Sequence, residues 1–205
     1  SKEEIEQFGM VFNEARFTTP HINRCFLPEL FGDLTDEVVD TYLAQSSSIH
    51  YVLKYFCNTQ QKIEAIFVDK QDVASQRIKL GLFAIANEVL FLRDPKQQER
   101  FHPRISANHS YIYRELSHSD RKAFDQLYWH FFYHRHNDFW KAQAYKRLTP
   151  LVASTEMLVC GEDLGMIPAT VPEVMNRLQI LSLEIERMPK TPDREFEDMF
   201  HLPYH

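Results

Sequence analysis

The chain has 205 residues, 44% of them hydrophobic and 25% charged, enough for a sizeable core and outside the disordered, collagen-like and coiled-coil ranges. Its 23 basic against 29 acidic side chains leave a net charge of −6, which argues against a nucleic-acid partner, because phosphate backbones require a basic patch. Three cysteines, at 25, 57 and 160, make neither an even disulfide set nor a C-x-x-C pair, and the acidic start SKEEIEQFGM has no apolar leader; a reducing, cytoplasmic compartment is expected.

Residues 1–35 alternate turn chemistry with short periodic pieces (Thr19-Pro20, Leu27-Pro28, Gly32-Asp33) and read as a surface-running connection. A helix is expected over Asp36 to Ala44, capped by Thr35, with Val38, Val39, Tyr42 and Leu43 at helical spacing. Thr59 caps a second over Ile63, Ile66 and Phe67, and Asp72 to about Asn87 makes a third, followed by the buried-looking Val89 to Leu92. The densest apolar stretch, Leu80 to Leu92, is broken by Asn87 and Glu88 and is shorter than the ~20 residues a membrane helix needs. From Ser119 to Leu148, Phe124, Leu127, Tyr128, Phe131, Arg135, Phe139, Ala142 and Tyr145 recur every three or four residues, as on one long helix or two joined end to end. That aromatic face suits core packing, with sugar-stacking platforms as the functional alternative.

The last third changes character. Glu156 to Cys160 is a short apolar run between Pro150 and Gly161, which suggests a buried strand. Thr170-Val171-Pro172-Glu173 has the form of a capping box, with Val171, Val174, Met175 and Leu178 behind it as a helical stripe. Leu181 to Ile185 then alternates as a strand does. Strand, loop, helix and strand in thirty residues imply one parallel βαβ unit, and a single unit implies a larger α/β domain around it.

Two constellations could carry chemistry. Glu162 and Asp163 stand between Gly161 and Gly165 in the loop that follows the strand, where α/β folds place their ligands, and paired carboxylates there suit acid/base work. His130 and His134 have the i, i+4 spacing of a metal pair, with Asp138 one turn on, but Phe131 stands where a metalloprotease needs Glu. Solvated surface histidines are the simpler reading. Cys160 lies in the proposed strand with no base beside it and reads as a buried, inert thiol. No P-loop, G-x-G-x-x-G or G-x-S-x-G is present.

Residues Met157 to Pro168, continuing through Val171-Pro172-Glu173-Val174-Met175 to Leu183-Glu184-Ile185-Glu186-Arg187-Met188-Pro189, resemble the 4-alpha-glucanotransferases of glycoside hydrolase family 77. The E-D-L-G-x-I-P core at Glu162 to Pro168 is characteristic of them. Arg93-Asp94-Pro95, Arg100 to Arg104, Leu127-Tyr128, Arg135 and Asp138-Phe139-Trp140 are most similar to the long, plant-cytosolic type. The resemblance implies a mainly α fragment with a small α/β part: residues 1–35 connecting from a (β/α)8 (TIM) barrel, 36–153 a helical insertion, and 154–205 one strand-loop-helix-strand slice of the barrel. It implies retaining transfer of glucosyl units between α-1,4-glucans or maltose and a sugar acceptor. Glu162 would be the general acid/base and Asp163 a supporting residue, with no cofactor and no metal. The family's nucleophilic Asp lies in an R-x-D-H segment and a further Asp in an H-D motif, neither of which occurs here, so an internal fragment, inactive alone, is expected. The rival reading is a non-catalytic helical glucan-binding or interaction module. Oligomeric state has no signature.

Overall fold

A computed structural model describes residues 1–190, 193–200 and 202. The chain divides into two units, Ser1–Leu127 and Tyr128–His205. Elements of the first unit run α1 (Lys2–Gln7), α2 (Glu14–Thr18), β1 (Ile22–Asn23), α3 (Leu27–Phe31), α4 (Thr35–Tyr42), β2 (Leu43–Gln45), β3 (His50–Leu53), α5 (Gln60–Phe67), α6 (Val73–Ala86), β4 (Phe91–Arg93), β5 (Phe101–Pro103) and α7 (Tyr111–Arg114). Helix α8 (His118–Trp129) begins in this unit. Strands β1 and β2 flank β3 in an antiparallel sheet, with Ile22 opposite Tyr51 and Leu43 opposite Leu53. Strands β4 and β5 form a separate antiparallel pair.

Helix starts follow local chemistry where nothing competes. Thr59 accepts from the Lys62 N–H at 3.3 Å and Asp72 from the Ser75 N–H at 2.9 Å, so both expected caps are present. Thr35 is different: it is the first residue of α4, and its hydroxyl donates backwards to the Gly32 carbonyl at 2.6 Å. The helix stops at Tyr42 because Leu43 adopts extended backbone and pairs with Leu53, so the expected last residues of the helix are strand.

The interior corrects the surface-running expectation for residues 1–35. Ile22, Leu27 and Phe31 are buried with Val38, Cys57, Ile63, Leu82 and Ile85 in one cluster. Phe12 and Phe17 are buried too, and Phe12 sits 5.4 Å from Phe91 edge-on and 4.7 Å from Phe101, while Phe91 meets Phe124 at 5.5 Å. These apolar residues come in pieces too short to show a period, so only the packed chain reveals them as core. Buried Glu88 accepts from the Ile112 N–H at 3.1 Å and docks the start of α7. Among the described residues no helix is long and apolar enough to cross a membrane.

In the second unit, α8 ends in a π-helical turn over His130–His134, and α9 (Asn137–Ala153) follows. Of the two alternatives for this stretch, two helices joined end to end is the one realised. A π turn adds a residue relative to an α turn and so moves the stripe along by one. Trp140, Ala144, Leu148 and Val152 therefore face inward, whereas Phe139, on the expected stripe, is 68% exposed. Strands β6 (Cys160–Gly161) and β7 (Leu181–Ser182) pair in parallel, joined through α10 (Val171–Leu178), as the βαβ reading required. Both strands are shorter than expected, and Met157 and Leu158 are exposed, because among the described residues β6 has β7 as its one neighbour. Thr170 makes no capping bond; its hydroxyl donates to the Asn137 carbonyl at 3.3 Å. Val171, Met175 and Ile180 pack against the inward stripe of α9, and Lys141 pairs with Glu173 at 2.6 Å.

Gly81 is the most closely packed glycine of the first unit, since a Cβ built there would overlap the Phe31 ring. Gly81→Ala is expected to destabilise the chain, because overpacking costs about 1–3 kcal/mol against at most about 1 kcal/mol of helix propensity gained. Leu80→Ala, at an exposed neighbour, should change little, and urea unfolding of the two variants compares them.

Candidate active-site loop

The loop after β6 holds both predicted carboxylates, and consecutive residues of extended chain point to opposite sides. Asp163 goes inward and is 7% exposed. A buried carboxylate needs its oxygens satisfied: Oδ1 accepts from the Leu183 N–H at 3.1 Å and Oδ2 from the Lys190 ammonium at 2.8 Å. Lys190 also donates to Glu184 Oε1 at 2.7 Å, which in turn accepts from the Ser182 hydroxyl at 2.9 Å. Partial burial favours the neutral amine, but the bonds to Asp163 and Glu184 outweigh it and hold the Lys190 pKa above the ordinary lysine value.

Glu162 points the other way and is exposed. Its Oε1 accepts from the Leu164 N–H at 2.8 Å, a local bond that sets the carboxyl over its own loop. Gly165 closes the loop at φ +82°, backbone that L side chains rarely adopt. Beside the loop lies a cavity of about 270 Å³ lined by Asp163, Ile167, Met175, Ser182, Glu184 and Lys190. Asp163 is buried with both oxygens engaged, whereas Glu162 is exposed with Oε1 bound to its own loop.

Other predicted groups are not brought into this loop's chemistry. His130 and His134 stack at 6.4 Å on the π turn, and no His/Cys/Asp/Glu group able to hold a metal includes them among the described residues. Cys160, expected buried, is exposed, because its strand is covered on one side only. Phe139 and Trp140 line an open groove of about 390 Å³ with Gln143, Ala144, Arg147 and Leu148. Sequence reasoning missed Lys190 and Glu184. Nothing in L-E-I-E-R-M-P-K marks its lysine as the partner of an aspartate 27 residues earlier.

Residues 35–205 match a family model described as 4-alpha-glucanotransferase, glycoside hydrolase family 77. The chain belongs to the 4-alpha-glucanotransferase family. It is 32% identical over 205 residues to the 4-alpha-glucanotransferase DPE2 of Oryza sativa subsp. japonica, an alignment covering 96% of this chain and 21% of that protein. The resemblance to the plant type is thereby borne out. The chain spans about a fifth of the length of this curated relative. No solved structure matches it.

For this member of the 4-alpha-glucanotransferases, removing the Asp163 acceptor leaves the Leu183 N–H without its partner and the Lys190 ammonium with Glu184 alone of its two. Asp163→Ala is expected to speed amide exchange at Leu183 and to destabilise the β6–β7 pair by about 1–3 kcal/mol, read by hydrogen–deuterium exchange. The raised Lys190 pKa contributes stability that is present below the ordinary lysine value and lost as pH rises through the higher folded value. Unfolding followed across the alkaline range should show that loss, and Lys190→Met should remove it.

Proposed function

We propose that this chain is the acid/base-bearing part of an enzyme that transfers glucosyl units between α-1,4-glucans or maltose and a sugar acceptor with retention. The observation that carries the reading is the family match over residues 35–205, with the exposed carboxyl of Glu162 in the loop after a parallel strand. In this proposal residues 154–205 are a slice of a (β/α)8 barrel, 36–153 a helical insertion and 1–35 the connection from the barrel. The free thiols of Cys25, Cys57 and Cys160 suit a reducing cytoplasm.

Glu162 protonates the glycosidic oxygen as the C1–O bond breaks and a carboxylate nucleophile forms a bond to C1. It then takes the proton of the acceptor 4-hydroxyl as that oxygen attacks C1 and expels the carboxylate. The nucleophile must lie about 5–5.5 Å away, and the R-x-D-H segment that would hold it is not in this sequence. Asp163, clamped by Leu183 and Lys190, keeps the loop in register with β7. No cofactor takes part.

A second reading has one supporting observation. The open groove at Phe139, Trp140 and Arg147 offers aromatic and cationic surface on which a sugar ring could stack. Titrating maltoheptaose against the 205-residue chain while following Trp fluorescence tests it; saturable quenching abolished by Phe139→Ala supports a glucan-binding surface, and a flat titration rejects it.

In the full-length enzyme Glu162→Gln should lower kcat on the order of 10²–10⁴-fold at an unchanged folded fraction; near-normal turnover would remove Glu162 from the acid/base role. The 205 residues alone, incubated with maltotriose, should yield no longer and shorter maltooligosaccharides.

A further inference from the structure

In the first unit, His21, His50 and Glu115 each offer one ligand atom, and the three atoms lie within 4.8 Å of one another. They come from three places: His21 just before β1, His50 at the start of β3, and Glu115 at the C-cap of α7. All three are half-buried. His50 Nε2 is 3.2 Å from Glu115 Oε2, and the two imidazole rings meet edge-on at 5.1 Å and 80°. Metal–nitrogen bonds of about 2.0–2.1 Å at tetrahedral angles put ligand atoms about 3.3 Å apart and two imidazole centroids about 5 Å apart. The His50–Glu115 pair meets the first spacing and the two rings the second, and the three atoms together lie within 4.8 Å.

We propose that His21, His50 and Glu115 are a binding site for a divalent transition-metal ion, zinc foremost, that ties the β1–β3 sheet to the end of α7. Each ligand has the outer partner that metal sites use to fix orientation. The Thr19 carbonyl, 2.9 Å from His21 Nδ1, can only accept, so Nδ1 carries the proton and Nε2 the lone pair. Ser47 Oγ sits 3.1 Å from His50 Nδ1 and can hold that proton, freeing Nε2. Asn23 Nδ2 donates to Glu115 Oε1, leaving Oε2 for the ion. Two imidazoles and one carboxylate suit zinc, with a fourth position left to water. The site belongs to the first unit and the Glu162 loop to the second, and its ligands are not the His130/His134 pair that the sequence suggested.

The test uses the 205-residue chain stripped with EDTA, dialysed against zinc chloride and assayed for zinc per chain by mass spectrometry. One zinc per chain is expected, with affinity at least about tenfold weaker in His21→Ala, His50→Ala and Glu115→Gln and unchanged in a His130→Ala/His134→Ala double variant. Glu115→Gln keeps the side chain's length and an acceptor for Asn23, so it remains decisive if a histidine variant fails to fold, which circular dichroism would show. Cobalt substitution should give the intense visible bands of a tetrahedral site, lost in the same variants. If no zinc is retained, or if it is retained equally by folded Glu115→Gln, the three residues are a hydrogen-bond network and the site is overturned.

Discussion

The buried carboxylate of Asp163 is the constraint on which the shape of the second unit's candidate loop depends. Taking a carboxylate out of water is costly unless its oxygens are occupied, and Asp163 meets that demand with the Leu183 N–H and the Lys190 ammonium. Both partners lie on or beyond β7, so satisfying one side chain fixes the β6 loop against the next strand. Alternation along extended backbone then turns Glu162 outward, beside a loop whose shape is held from within. Two adjacent acids of the same motif are thereby given different physical situations, one locked and one exposed.

A steric constraint plays the corresponding part in the first unit. Without a side chain at Gly81, α6 admits the Phe31 ring into its surface, and the residues around that contact form the buried cluster. The same core presents the three-stranded sheet to α7, whose start is docked by Glu88. Such packing brings His50 and Glu115 within 3.2 Å although 65 positions separate them in the chain. The proposed acid/base loop and the inferred metal site thus lie in different units and rest on different forces.

Local signals were readable where a single residue decides the outcome. Thr59 and Asp72 cap their helices as their positions suggest, each side-chain oxygen accepting from the N–H three residues on. Thr35 and Thr170 carry the same chemistry and do otherwise: their hydroxyls are oriented to donate to the Gly32 and Asn137 carbonyls. The aromatic stripe of residues 124–145 was legible as helix but was misplaced beyond the π turn, where one extra residue rotates every later side chain.

The sequence by itself determined the family, the parallel strand-helix-strand order and the loop that holds Glu162 and Asp163, because motifs and periodicities are encoded by neighbours along the chain. Only the tertiary structure decided which of the two acids is buried, that Lys190 and Glu184 complete its surroundings, and that residues 1–35 contribute Ile22, Leu27 and Phe31 to the core. It alone assembled His21, His50 and Glu115. Partners of that kind are selected by packing and by the cost of leaving polar groups unpaired, and neither quantity has a period or a spacing in one dimension.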